Sequence, residues 1–518
     1  MGIKEAGDDQ VQELDTSKRA GGVVLAPQPS DDPNDPLNWT LKWKCVHLLV
    51  LCFGSAVTNA ASSMLTPGLE PLTKQFKSTE SEISTWILAG PTFWTSFAAF
   101  IVVSGADVWG RRPFYVYSVV FLALANYAAE LSTTFPMLAI ARTVGGLFSA
   151  PLFTLLTATI ADLFFQHQRG RSIAVWNVLL NSGAQVGSVI AGFVTDAFGV
   201  SANFLITGIL YTALIPVFYF TIFESAYFTR KTEKEEENVT TISVQPDKLS
   251  AEWDEENIKG PVRPEKFSFK QNLAMSRGRI SDNSFFKGMI KPLGLITSPI
   301  VMYSCFLNGV VFFFLVGVTT FMSILLSAPP YNLSPSQIGL TNLPTFVVGL
   351  IMGPLFGWLS DSSVAWMGRH NGTSKGMAEP EFRLVLLLVS TPIAILGLLG
   401  LGLAFQNNLH FVWIIVWMVV TNVGSLAGIQ IAVAYVIDCY PEHSAQAFAT
   451  INLVSAAVVT IGVNPIIGLL TTAGPFFVFA LMAGIAAVVT LLALPMYVFG
   501  KKIRAWYEQA PWAQRLLA

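Results

Sequence analysis

Val103-Ser-Gly-Ala-Asp107-Val-Trp-Gly110-Arg111-Arg112-Pro113 is a compact polar knot between two apolar runs, Ser84–Ser104 and Pro113–Leu131. Each run is about long enough to cross a bilayer core of roughly 30 Å as a helix, which takes on the order of 20 residues. A short link carrying an aspartate and two arginines belongs in water or among headgroups, so it joins two spanning helices on one side of a membrane. A partial echo, Gly357-Trp-Leu-Ser-Asp361, comes later in the chain. Two copies of one loop point to a chain built as two similar halves.

Outward from that loop, apolar spans are read near 45–66, 84–104, 113–131, 136–163, 172–195 and 202–223. Six more fall near 299–326, 338–359, 383–405, 410–437, 444–470 and 475–499. The expected organisation is an all-α membrane protein of 12 transmembrane helices in two six-helix, pseudo-symmetric halves. Its parts are a disordered tail (1–43), a first bundle (44–223), a polar linker (224–295), a second bundle (296–499) and an interfacial tail (500–518). The fourth span runs into Asp162-Leu-Phe-Phe-Gln-His167 and the tenth into Asp438-Cys-Tyr-Pro-Glu-His443, and 438 − 162 equals 443 − 167. A second repeat at corresponding positions supports duplication. Parallel halves with a site between them are a transporter architecture.

Six plus six around a linker puts both termini on one side. Short loops on the side of Arg111 and Arg112 also hold Arg169, Arg171, Arg369, Lys375 and Arg383, whereas the opposite loops hold only Lys74 and Lys77. The excess of positive charge makes the first side cytoplasmic. The first 40 residues contain no apolar signal segment, so targeting is expected from the first span, and the plasma membrane is the expected location. Asn238-Val-Thr240 matches a glycosylation sequon on the cytoplasmic side, and Asn332-Leu-Ser334 faces outward but in a tight loop before Pro335.

Composition narrows the class. Of 518 residues 53% are apolar and 12% charged, and the mean hydropathy is +0.55. That excludes an ordinary soluble domain, in which about 25% of residues are charged. No basic stripe with interleaved aromatics points to nucleic acid. Cys45, Cys52, Cys305 and Cys439 show no CxxC spacing and read as small core residues. The five histidines have no metal spacing, and neither a phosphate loop nor a nucleophile–base constellation is present, so no enzyme chemistry, metal or cofactor is expected.

A charge inside a span costs roughly 2.5–3.5 kcal/mol on insertion scales. Arg142, in the fourth span, is the clear case, with Gly146, Ser149, Phe153 and Thr157 on its face. It is either a contact for substrate anions or proton coupling, or half of an internal ion pair that locks helices. In the fifth span Gly183, Gly187 and Ala191 form a strip that lets another backbone approach. Asn177, Asn181, Gln185 and Ser188 lie on the other side and suit a cavity wall. Thr58, Asn59, Trp94, Asn308, Trp417 and Asn422 complete the candidate lining, each open to a packing role instead. A site of amides and aromatics with one cation and no mid-membrane carboxylate suits a partly apolar organic molecule. Asp107, Gly110, Arg111, Arg112 and Asp361 read as a gating latch, with positive-inside anchoring as the alternative. Glu130, Asp162, Asp196, Glu224 and Asp438 sit near span ends, where solvation explains them.

The D-x-x-G-R-R loop resembles the signature loop of the major facilitator superfamily, and the resemblance covers nearly the whole chain after residue 35. Asp35-Pro-Leu-Asn-Trp39, Gly110-Arg-Arg-Pro113, Ala161-Asp-Leu-Phe-Phe-Gln-His-Gln-Arg-Gly170, Pro380-Glu-Phe-Arg-Leu384 and Phe499-Gly-Lys-Lys-Ile-Arg504 look more narrowly like one fungal group. That group is the 12-helix drug:proton antiporters, in the branch that includes histidinol and polyamine carriers. The resemblance implies the major facilitator fold. It assigns Asp107, Gly110, Arg111 and Arg112 to the signature loop, whose leading glycine is Val103 here. Arg142 and Gly146 match the Arg-x-x-x-Gly element associated with proton coupling. In the fifth span the antiporter signature carries two Gly-Pro pairs and a Gly-Gly, where this chain has Gly183-Ala184, Gly187-Ser188 and Ala191-Gly192.

The function expected is secondary active transport of a small organic solute by alternating access, coupled to protons and favouring export of a drug-like compound or secondary metabolite. Proton-coupled uptake of a small nutrient amine is the alternative, and a non-transporting membrane sensor is the alternative of another class. The expected partners are a small-molecule substrate, protons and the lipid bilayer, with no nucleic acid, and the assembly expected is a monomer.

Overall fold

The computed structural model describes residues 19–20, 23–24, 30, 32–227, 267–276, 278–281, 284–370, 380–440 and 444–510. Among them are the twelve helices that make up two bundles. The first six are α1 (Leu41–Ser63), α2 (Gly90–Trp109), α3 (Arg112–Glu130), α4 (Phe135–Leu163), α5 (Gln166–Phe198) and α6 (Ser201–Thr221). The second six are α7 (Pro299–Ser327), α8 (Asn342–His370), α9 (Leu387–Gln406), α10 (Phe411–Cys439), α11 (Ser444–Ala473) and α12 (Pro475–Leu491). Eleven spans are long and apolar enough to cross a bilayer. The exception is α3, whose Tyr115, Tyr117, Asn126 and Tyr127 dilute its hydropathy, yet it packs between α4 and α6 as a full member of the bundle.

Local chemistry sets the helix ends. Pro113, Pro136, Pro299 and Pro475 stand in the first turns of α3, α4, α7 and α12, where a missing N–H costs nothing. α2 stops at Gly110, whose φ of +90° admits no ordinary side chain, and a Cβ there would run into the Glu224 carboxylate.

The duplication read from the loops reappears in the packing. α1 packs on α5, α2 on α4, and α3 on both α4 and α6; six helices later, α7 packs on α11, α8 on α10, and α9 on both α10 and α12. Each half has its own apolar core, with Leu51, Leu156 and Phe218 buried in the first and Phe321, Leu398 and Phe479 in the second. The halves meet along two seams, α2 with α11 and α5 with α8.

Three stretches outside the spans are more ordered than their composition suggests. Residues 32–40, expected to close a disordered tail, fold onto the first bundle. Asp35 is fully buried there, and its carboxylate accepts from the Ser30 N–H at 3.0 Å and the Leu37 N–H at 2.9 Å. Lys44 Nζ donates to the Leu37 carbonyl at 2.9 Å, and Trp39 meets Phe223 edge-on. In the linker, residues 267–276 and the helix Phe285–Gly294 lie against the spans. The last helix, Ala493–Gln509, docks on the second bundle, with Tyr507 fully buried and its hydroxyl 3.0 Å from Thr297 Oγ1. All three stretches gather on the face that carries Arg111 and Arg112, hereafter the arginine face. Asn238, Lys375, His443 and the Asp361 side chain lie outside the described residues and side chains.

Candidate functional site

The site is built around Pro91. A proline within a helix has no N–H for the carbonyl four residues earlier, so the Ile87 carbonyl loses its donor. The chain answers with one wide turn over Ser84–Ala89, in which the Gly90 N–H reaches back five residues to the Thr85 carbonyl. Gly146 of α4 lies directly on the Pro91 backbone, where a Cβ would meet the Pro91 oxygen at 2.6 Å. α2 and α4 both run toward the arginine face, so one turn back on each brings Arg142 opposite Ile87. Arg142 Nε donates to the orphaned Ile87 carbonyl at 3.2 Å. Its Nη2 is buried without a partner. Among the described residues no carboxylate pairs with Arg142. One turn toward the arginine face, Thr95 Oγ1 ties the same helices through Ser149 Oγ at 2.7 Å and the Gly146 carbonyl at 2.9 Å.

The other expected lining residues do not converge on Arg142. Asn59 is half-buried and donates to the Leu180 carbonyl at 2.8 Å, bridging α1 and α5. Thr58 is buried and accepts from the Tyr211 hydroxyl at 3.1 Å. Asn308 is buried in the α7–α11 contact, donating to Ser455 Oγ at 2.7 Å with its Oδ1 unsatisfied. Trp417 packs against Gly400 of α9, and Asn422 donates to the Met418 carbonyl of its own helix at 2.9 Å. On α5, Gly183 and Gly187 press against Ala56 and Ala60 of α1, as the small-residue strip requires. Asn177 and Asn181 on another face are exposed, Gln185 is half-exposed, and Asn181 bonds back to the Asn177 carbonyl. Trp94 stacks edge-on with Phe93 and Phe97 at centroid distances of 5.6 and 6.0 Å. Those two phenylalanines, with Leu453, Val454, Ala457 and Ile461 of α11, line an apolar crevice of about 470 Å³ in the seam between the halves.

On the arginine face the loop residues are engaged within the first half. Arg111 forms an ion pair with Asp162 at the end of α4. The N–H groups of Arg111 and Arg112 donate to the Glu224 carboxylate at 2.9 and 3.2 Å. Arg112, 1% exposed, donates to the Tyr219 carbonyl at 2.8 Å and to the Asn272 carbonyl of the linker. Asp107 is half-buried beside them. The second half repeats the pair: Arg383 Nε meets Asp438 at 2.5 Å, and Arg383 Nη1 donates to Ser360 Oγ at 2.9 Å. Sequence reasoning left Asp162, Glu224 and Asp438 to solvation, and it passed over one buried and one half-buried group. Glu381 is 2% exposed with Arg504 3.6 Å away, and Gln430 of α10 reaches the Gly353 carbonyl of α8 at 3.4 Å. A mid-span glutamine carries the same signal as the asparagines that were chosen.

At the end opposite the arginine face the seams are closed by polar contacts. Ser81 bonds to Asn464, and Thr460 Oγ1 donates to the Ala89 carbonyl at 3.3 Å. The Ser336 N–H donates to Asp196 at 3.0 Å, and Asn342 Nδ2 to Ser188 Oγ at 3.2 Å. Ser188 thus faces α8 and not a cavity.

Two pseudo-symmetric six-helix bundles, joined by a linker and meeting along two seams beside a buried cation, define a membrane carrier. The sequence model of the Major Facilitator Superfamily matches residues 51–378, and the chain belongs to that family. Its relatives include the protein HOL1 of Saccharomyces cerevisiae, 26% identical over 96% of this chain and 93% of that one. The MFS-type transporter hepF of Aspergillus oryzae is 24% identical over 95% of this chain and 96% of its own. The fold is also that of the xylose transporter XylE from E. coli in a partially occluded inward open conformation, with a TM-score of 0.62 at 14% identity, covering 88% of this chain and 98% of that one. The protein is an integral, multi-pass membrane protein of the transporter class and not an enzyme.

Proposed function

We propose that the protein moves a small, partly apolar organic solute across the plasma membrane by alternating access, coupled to protons, with export favoured. The observation that carries this reading is Arg142: among the described residues its buried guanidinium is held only by a backbone carbonyl, with Nη2 unpaired. An uncompensated charge within a span is costly and is kept where a substrate or a titrating group engages it. The aromatic and aliphatic crevice at Phe93 and Phe97 supports an apolar component to the substrate. Relatives named as transporters support carriage over sensing.

The excess of arginine in the loops supports placing the arginine face, both termini and the linker in the cytoplasm. The branch of histidinol and polyamine carriers suggests an amine as the rival substrate, taken up instead of exported. Asp107, Arg111 and Arg112 act in this scheme as a latch at the cytoplasmic mouth. Comparing metabolites inside and outside cells with and without the gene nominates substrates. Flux of those nominees in proteoliposomes under an imposed pH gradient then tests the reading. Accumulation that follows the gradient is expected; transport indifferent to pH defeats the coupling, and no flux under either gradient favours the sensor.

A further inference from the structure

Phe285-Phe-Lys-Gly-Met-Ile-Lys-Pro-Leu-Gly294 forms a helix whose ten residues divide into three sectors at 100° per residue. One sector faces the protein. Gly288 rests on Ser104 of α2, Phe285 meets Trp109 at 5.3 Å, and the Pro292 carbonyl accepts from Thr450 Oγ1 of α11 at 2.6 Å. The helix therefore touches one span of each half. A second sector holds Phe286, Ile290 and Leu293, at i, i+4 and i+7, which are 68%, 57% and 45% exposed. The third holds Lys287 and Lys291, one turn apart.

Two observations fix the surroundings of the exposed sectors. Gly294 is five residues before Pro299, where α7 begins, so the chain enters the bilayer directly from this helix. Ser104 lies five residues inside the end of α2 at Trp109, about 7.5 Å at a rise of 1.5 Å per residue. That depth matches the roughly 5–10 Å to which in-plane amphipathic helices sink at the boundary of headgroups and acyl chains. An apolar stripe at that level meets hydrocarbon, and the two lysines beside it meet headgroups.

We infer that the helix Phe285–Gly294 is a binding surface for anionic phospholipid, with Phe286, Ile290 and Leu293 in the acyl region and Lys287 and Lys291 on the headgroup phosphate. Lipid held there steadies a bridge that already joins α2 to α11, so the charge of the leaflet bears on the contact between the halves. The sidedness proposed above decides only which leaflet is involved.

The test uses the full chain with Cys45, the exposed cysteine, changed to serine; the other three cysteines are buried. A fluorophore on Ile290→Cys is quenched by lipids brominated in their acyl chains, in vesicles of phosphatidylcholine with or without phosphatidylserine. Quenching by both lipids is expected, with phosphatidylserine preferred. The double variant Lys287→Gln, Lys291→Gln should keep the quenching and lose the preference, by roughly fivefold per lysine. No quenching by either lipid would place the helix in water and overturn the proposal. Equal quenching by both lipids, or a preference that survives loss of both lysines, would overturn the anionic site while leaving the transport reading untouched.

Discussion

Gly146→Ala tests whether close packing of α4 on Pro91 is what presents Arg142 to the Ile87 carbonyl. The added Cβ would stand 2.6 Å from the Pro91 oxygen, against 3.4 Å for ordinary contact, so the helices must part by about 0.8 Å. The obstacle is backbone, not the tip of a flexible side chain, and cannot swing aside. The same displacement would stretch the Arg142–Ile87 bond from 3.2 Å to as much as 4.0 Å, beyond hydrogen-bonding range. Losing a charge-assisted bond costs about 1.5–3 kcal/mol and overpacking about 1–3, offset by about 1 from replacing a helical glycine. The net expectation is a loss of about 1.5–5 kcal/mol. Gly145→Ala is the matched control, because its Cβ would meet only the Ala125 Cβ at 3.7 Å. Thermal unfolding of the purified variants should show Gly146→Ala several degrees below Gly145→Ala, together with a loss of pH-driven flux. Equal melting and equal flux in the two variants would refute the proposed link between Gly146, Pro91 and Arg142.

Arg142→Gln retains a donor for the Ile87 carbonyl but not the charge; gradient-driven flux should vanish while surface expression and melting stay near wild type, and wild-type flux defeats the role assigned to Arg142. Alanine substitutions at Arg111 and Asp162, whose side chains are 9% and 26% exposed, should show a coupling of about 1–3 kcal/mol in a double-mutant cycle read by thermal unfolding. Additive effects would mean that the pair contributes nothing as a pair. Asp196→Ala and Thr460→Val each remove one contact that closes the seams away from the arginine face. Each should shift the population toward opening there by about 0.5–1.5 kcal/mol, seen as a longer distance between spin labels at the far ends of α2 and α11.

The spans were legible because a bilayer imposes an apolar run of about 20 residues on any helix that crosses it. Arg142 was legible for the converse reason, a charge where charges are expensive. What the sequence hid are partners brought together over long separations. Asp162 and Asp438 look like solvated helix ends until folding brings Arg111 and Arg383 to them, across 51 and 55 residues respectively (162 − 111 and 438 − 383). Those nearly equal separations are the same duplication that the aspartates announced. Asn59 and Asn308 read as cavity amides because their acceptors, Leu180 and Ser455, lie on other spans. The helix Phe285–Gly294 escaped notice because ten residues containing Gly288 and Pro292 carry too short a period to stand out from a polar linker.

The distribution of strong and weak bonds explains how such a molecule moves without unfolding. Among the described residues the ion pairs linking distant parts of the chain stay within one half: Arg111 with Asp162 in the first, and Arg383 with Asp438 and Arg504 with Glu381 in the second. Across the seams the polar contacts among the described residues are hydrogen bonds of Ser81, Thr460, Ser336 and Asn342, in which Asp196 is the one charged partner. At about 0.5–1.5 kcal/mol each, four such bonds sum to about 2–6 kcal/mol. A gap of a few kcal/mol is what leaves a second conformer populated and within reach of a ligand's differential binding. Were the seams held instead by buried ion pairs, breaking even one would cost about 3–5 kcal/mol, and a rocking motion would stall. The bundles are therefore tied inside and only lightly fastened to each other, which is the mechanical condition for alternating access.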